Sequence, residues 1–327
     1  MYDRQKVTIL PLHSAEYNLV ADNEIFDLGF GVSIERCKNL LRSSDLWIWN
    51  HNHDHDDEEE INGWDTCLVH RYQGKSVTGK RDDTSITLLA YVLAHLRIIN
   101  PHRDSVDDNI QLQQESPGSA YNGFRCSKAA LRPNRFLCDC EHLVSGINRN
   151  HLNELKTFLP WIADFASNWR IYQPLWISMY LFEEGYKPGH NLRTLHLFRV
   201  MALEGLFCSE SSFGKKALTH RIPKLLHTGI DLYKPYRVDF VDLPQMVLTV
   251  GLIKDIYTLR NKIAHSDGLP EVWQNTIVRA GLDGEITYLG QLLEASTSIG
   301  RLAWLKIIRE GLQSTFSDNQ KMQAYLR

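Results

Sequence analysis

The chain has 327 residues, 43% of them hydrophobic and 23% charged, with a formal net charge of −3. This ordinary globular composition fits about two domains at roughly 150 residues each and argues against a globally basic protein that coats DNA. No apolar run approaches the roughly 20 residues that cross a bilayer, no signal-peptide pattern opens the chain, and six cysteines make no dense framework, so a cytoplasmic protein with reduced thiols is expected.

Residues 1 to about 80 read as short strands and turns. "KVTILPL" and "GFGVSIERC" carry β-branched residues in partial alternation, and Gly29 and Gly31 punctuate a turn around Phe30. "DTCLVHRYQGKSVTGK" is a further strand ending in a Gly-containing loop. Its two Gly-Lys pairs lack the spacing of a phosphate-binding P-loop. Thr84 to Asn100 is helical, capped by Thr84 or Ser85 and stopped before Pro101. Residues 101 to 140 are polar and irregular, and the domain boundary is expected at 145/146.

From there the pattern becomes helical. "NHLNELKTFLPWIADFASNW" is amphipathic and interrupted by Pro160; "RIYQPLWISMYLFEEG" ends at Gly185; "HNLRTLHLFRVMALEGLFC" is long; "SSFGKKALTHRIPKLLH" breaks at Pro223. The segment from Asp242 to Gly268 and the stretch "LGQLLEASTSIGRLAWLKIIREGLQSTF" complete the set. The expected class is α+β: a mixed α/β module over residues 1–145, then an all-α bundle over 146–327. The tryptophans of the helical part (Trp161, Trp169, Trp176, Trp304) read as core, and His190, His196, His220 and His227 as surface or hydrogen-bond-satisfied residues.

Within the segment Asp242–Gly268, Pro244 suits a first turn, and Gly268 and Pro270 stop the helix. At about 100° per residue, Met246, Val250, Leu252, Ile253, Ile256, Tyr257, Leu259, Ile263 and Ala264 fall on one arc centred near Arg260. Lys254, Asp255, Thr258, Asn261, Lys262 and His265 fall opposite. Arg260 therefore points where the helix packs. A guanidinium does not escape burial by deprotonating, so an acceptor must meet it: a carboxylate, with Glu204 as candidate, a partner subunit, or an anionic ligand. His265 lies about 140° round the helix from Arg260, so the two meet only at a fraying end or across a two-fold interface. Together they suit RNA cleavage without metal. A base activates the ribose 2′-hydroxyl, an acid protonates the departing 5′-oxygen, and the arginine holds the phosphate. Asn261 is placed to orient the phosphate or the imidazole.

"LRNKIAH" resembles the R-x4-H signature of HEPN domains, in the form with Asn directly after Arg. With "LHLFRVMALEGLF", "KKALTHRIPKLL" and "IKDIYTLRNKIAHSDG" in that order, residues 190–268 are similar to the Apea-like HEPN subgroup. The resemblance implies an all-α domain that dimerises through its motif helix. The activity it implies is a metal-independent endoribonuclease, a toxin or effector in prokaryotic antiviral defence or toxin–antitoxin systems. Arg260 and His265 match the catalytic pair, with Asn261 beside them; Glu204, Tyr257 and Lys262 take supporting roles. Asp267 stands where some members carry a tyrosine two residues after the histidine. Expected partners are RNA, a second copy of the chain, and a regulatory protein or antitoxin, with no cofactor, no metal and no membrane. The alternative is a non-catalytic HEPN module that serves assembly or nucleotide sensing in a larger defence complex.

Two further clusters weigh less. "HNHDHDDEEE" (His51–Glu60) is expected to be a solvated acidic loop, although alternate histidines of an extended chain can share a metal. Cys126, Cys138, Cys140 and His142 offer zinc ligands, but C-x-C is not the usual knuckle spacing, and reduced, partly buried thiols are the expected state.

Overall fold

The structure, a computed structural model, describes residues 4–12, 15, 19–36, 66–74, 83–100, 110–114, 124–128, 146–185, 192–209, 214–232, 246–265, 267–281 and 284–327. The chain is α+β and divides into two compact units. Met1–Asn134 with Gly146–Ser167 forms the first, and Asn168–Arg327 is the bulk of the second.

The first unit is built on an antiparallel six-stranded sheet. Its strands are β1 (Arg4–Pro11), β2 (Ile25–Gly29), β3 (Val32–Arg36), β4 (Thr66–Gly74), β5 (Ile110–Gln114) and β6 (Phe124–Lys128), in the order β2-β3-β4-β1-β5-β6. Val7, Ile9, Leu10, Val32, Ile34, Leu68 and Val69 are buried. The turn from β2 to β3 needs its glycines. Gly29, Phe30 and Gly31 all have positive φ, and a Cβ on Gly31 would stand 2.2 Å from the Arg71 carbonyl oxygen. Strands β5 and β6 lie in the stretch expected to be irregular; "IQLQQ" alternates, but its glutamines dilute the apolar signal. Cys67, fully buried in β4, is disulfide-bonded, contrary to the expectation of reduced thiols. Cysteine count alone does not reveal which thiols a sheet brings together.

Helix α1 (Asp83–Ile99) packs on α2 (Arg149–Ser167). This moves the expected boundary from 145/146 to 167/168. Helix α2 buries Leu152, Leu155, Phe158, Leu159, Ile162 and Phe165; it is tied to Glu24, just before β2, by the Arg149–Glu24 ion pair and to β2 by the bond from Lys156 Nζ to the Asp27 carbonyl (2.6 Å). Nor does Pro160 interrupt α2: the apolar stripe continues on both sides of it, and packing outweighs one lost hydrogen bond. Between the helices, buried His95 donates from Nδ1 to the Tyr91 carbonyl (2.6 Å), and Trp161 Nε1 donates to His95 Nε2 (3.1 Å).

The second unit contains α3 (Gln173–Glu184), α4 (Leu192–Phe207), α5 (Gly214–Leu226), α6 (Val250–Ala264), α7 (Glu271–Asn275) and α8 (Tyr288–Arg309), then the short α9 (Gln313–Phe316) and α10 (Asn319–Tyr325). It is not purely helical as expected, because β7 (Ile277–Gly281) and β8 (Gly284–Thr287) form a hairpin before α8. Helix α4 packs against α3, α5, α6 and α8, and α8 is buried along most of its length, Trp304 and Arg301 fully so. Helix α5 runs through Pro223 rather than breaking there; the proline sits three residues before its end, where one missing donor disturbs little. Trp169 is exposed and Trp176 half-buried, stacked in a row with Tyr180, so neither is core as expected. Helix α3 commits its other face, Leu175, Met179 and Phe182, to packing. Among the described residues, no helix is long and apolar enough to cross a membrane.

Candidate functional site

Helix α6 begins later than Pro244 allows. Thr249 is its N-cap, and Thr249 Oγ1 accepts from the Leu252 N–H (3.0 Å). Met246 and Leu248 precede it as extended chain bonded to Leu232 and Ile230. Residue 244 lies outside the described residues. Leu252, Ile253, Ile256 and Leu259 are buried, as the wheel requires. Val250 and Ala264, assigned to the same arc, lie at the two ends of the helix and are exposed. From α4, fully buried His196 reaches across: its Nε2 donates to the Ile256 carbonyl (3.1 Å), and Ser296 Oγ of α8 lies 3.3 Å from its Nδ1. Burial, opposed by the Ile256 bond and reinforced by nearby Arg199, pushes this imidazole down to about 4, so it is neutral at physiological pH.

Arg260 stands half-buried at the edge of the packed face, its side chain 26% exposed. Its Nη2 lies 3.4 Å from Glu204 Oε2 of α4, long for a charge-assisted bond, and its Nη1 donates to Asn261 Oδ1 (3.1 Å). Its Nε is buried and has no partner. The guanidinium sits 5.6 Å from the centre of the Tyr257 ring. The Tyr257 phenol is held above its ordinary value, first by burial, then by the Glu204 carboxylate to which its hydroxyl bonds. Behind it, Gly214 opens α5 at φ +66°, and a Cβ there would stand 2.6 Å from the Tyr257 hydroxyl. Burial also pushes the neighbouring Cys208 thiol up to about 11, so it is no thiolate nucleophile at neutral pH.

Four of the six expected residues therefore meet: Arg260, Asn261, Glu204 and Tyr257. His265 does not join them. It is the C-cap of α6, exposed, with its backbone N–H on the Asn261 and Ile263 carbonyls. Lys262 Nζ donates to the Gly268 carbonyl (3.3 Å), tying down the turn after the helix. Two contacts around α6 have no sequence signal: Lys215 Nζ of α5 donates to Thr258 Oγ1 (3.1 Å), and the Tyr288 hydroxyl donates to Asp255 (2.7 Å). Both pairings are long-range, and nothing local signals them. Residues 51–60 and Cys138, Cys140 and His142 lie outside the described residues, as does the Cys126 side chain.

The arrangement offers an arginine with spare donor capacity, an amide beside it, and a solvent-facing imidazole about one turn further along the helix. The first two can hold a phosphate, and the third is of the kind that serves as general base or acid. Comparison with protein-family models, curated proteins and solved structures finds no match to this chain.

Proposed function

We propose that the chain is a metal-independent endoribonuclease of the HEPN type, working as a homodimer through α6. The observation that carries the reading is the state of Arg260. Its Nε is a buried donor without an acceptor, on a side chain that solvent still reaches. A buried donor left unpaired is costly, and a phosphate oxygen would satisfy it.

In this reading Arg260 and Asn261 hold the scissile phosphate, and His265 comes from the other protomer. The imidazole takes the proton of the ribose 2′-hydroxyl as the 2′-oxygen attacks phosphorus. The bond from phosphorus to the 5′-oxygen breaks, and an imidazolium returns a proton to that oxygen. The products are a 2′,3′-cyclic phosphate and a 5′-hydroxyl. Arg260 stabilises the charge that builds on the phosphoryl oxygens. DNA lacks the attacking hydroxyl and is spared. Glu204 and Tyr257 orient Arg260, and Lys262 fixes the turn that presents His265. Such an enzyme serves as a toxin or defence effector, with a regulatory protein or antitoxin restraining it.

The test is cleavage of single-stranded RNA in EDTA by the wild type, Arg260→Ala and His265→Ala. Cleavage by the wild type, lost in both variants, is the expected result. An inert wild type, or variants that cut equally well, overturns it. A second reading has its own observation: within one chain Arg260 already touches Glu204, and His265 stands apart. That arrangement also suits a non-catalytic assembly or nucleotide-sensing module, for which wild type and variants would be equally inert while still joining their complex.

A further inference from the structure

We propose that one side of the outward face of α6, from Lys254 to His265 and joined by Lys215 of α5, is a track for the phosphate backbone of single-stranded RNA leading to His265, the rest of that face being left to the second protomer. This rests on the nuclease reading and adds to it the residues that deliver the substrate. With Lys254 set at zero on an ideal helix of about 100° per residue, His265 falls near 20°, Thr258 near 40°, Lys262 near 80° and Asn261 near −20°. These positions form one stripe, about 16 Å long at ~1.5 Å per residue, on the face opposite buried Leu252, Ile256 and Leu259.

Lys215 completes the stripe from a different helix. Its ammonium is bonded to Thr258 Oγ1 at 3.1 Å, which places a cation on the stripe between Lys254 and Lys262. Lys254 and Lys215 are exposed. Gly251, near 60°, is exposed too, and a Cβ there would meet nothing closer than Thr249 Oγ1 at 3.6 Å, so this end of the track has a low floor. The carboxylate at its flank, Asp255, accepts from Tyr288 at 2.7 Å and is thereby turned towards α8.

The result is a run of ammonium groups with the Asn261 amide beside them, in a chain whose net charge is −3; the Thr258 hydroxyl donates to the Lys254 carbonyl (2.7 Å) and is the acceptor that seats Lys215. Phosphate oxygens take both kinds of donor, and evenly placed cations read no sequence. The stripe ends at the one exposed imidazole of the proposed pair, which is why we assign it to RNA rather than to an acidic peptide.

The experiment uses the full chain carrying His265→Ala, so that cleavage does not intervene. Binding of a fluorescein-labelled single-stranded oligouridylate is followed by anisotropy in EDTA over a salt series. Lys215→Gln and Lys254→Gln should each make the salt slope shallower by about 0.7 and the double variant by about 1.4, while Lys321→Gln on α10 changes nothing. In the cleaving chain the double variant should raise KM with kcat held within about twofold. RNA binding with unchanged slope and affinity in the lysine variants overturns the track and leaves the nuclease reading intact. Lysine-dependent RNA binding by a wild type that never cleaves does the reverse. Absence of RNA binding, or polyglutamate competing as well as RNA, overturns the track.

Discussion

His196 makes the connection between α4, α6 and α8 testable by acid. It is fully buried, with Nε2 on the Ile256 carbonyl and Nδ1 beside Ser296, and burial depresses its folded pKa from 6.5 to about 4. The folded state therefore prefers the neutral ring. Its contribution is fully present above the unfolded pKa of 6.5 and is lost as pH falls from there towards 4, where the folded protein also takes up the proton. Over the whole window the loss is about 3 kcal/mol; between pH 7.5 and pH 5 it is about 2 kcal/mol. His196→Gln keeps a donor for the Ile256 carbonyl without titrating. Urea unfolding of the full chain at both pH values should show wild-type stability falling about 2 kcal/mol more than that of His196→Gln. Equal pH dependence in the two proteins, or an NMR titration of His196 centred at 6.5, would refute the reasoning.

Two further substitutions probe the arginine's surroundings. Gly214→Ala forces a Cβ to within 2.6 Å of the Tyr257 hydroxyl at φ +66°, and should cost roughly 1–3 kcal/mol of stability, read by urea unfolding. Glu204→Ala removes the carboxylate that helps to raise the Tyr257 phenol, so ultraviolet titration should show that phenol ionising at lower pH than in the wild type. With Arg260 no longer oriented, RNA cleavage by the same variant should drop about tenfold in kcat/KM.

Much of α6 was legible in the sequence. The spacing of Leu252, Ile253, Ile256 and Leu259 placed Arg260 towards packed structure and His265 well round from it; His265 is exposed as that spacing requires, while Arg260 stands at the edge of the packed face rather than at its centre. Glu204 was also legible as the arginine's carboxylate neighbour. What the sequence hid was of two kinds. The first is packing that overrides a local signal: α2 runs through Pro160, and its amphipathic stripe, which reads like those of the later helices, belongs to the first unit. Periodicity says that a face is buried, not against what. The second is contact between distant residues, such as the Cys67 disulfide, His196 beneath Ile256, and Lys215 on Thr258. The hairpin of β7 and β8 gave no clear signal because its strands are short and flanked by helix.

The central claim is that Arg260 of one protomer works with His265 of the other. Mixing is its most direct test. Arg260→Ala and His265→Ala, each inactive alone, are unfolded together, refolded at equal amounts and assayed on single-stranded RNA in EDTA. Half of the dimers then pair the two variants, and each of these holds one intact composite site, so about a quarter of wild-type activity should return. A mixture as inert as its components, beside a wild type that cleaves, would contradict the shared site.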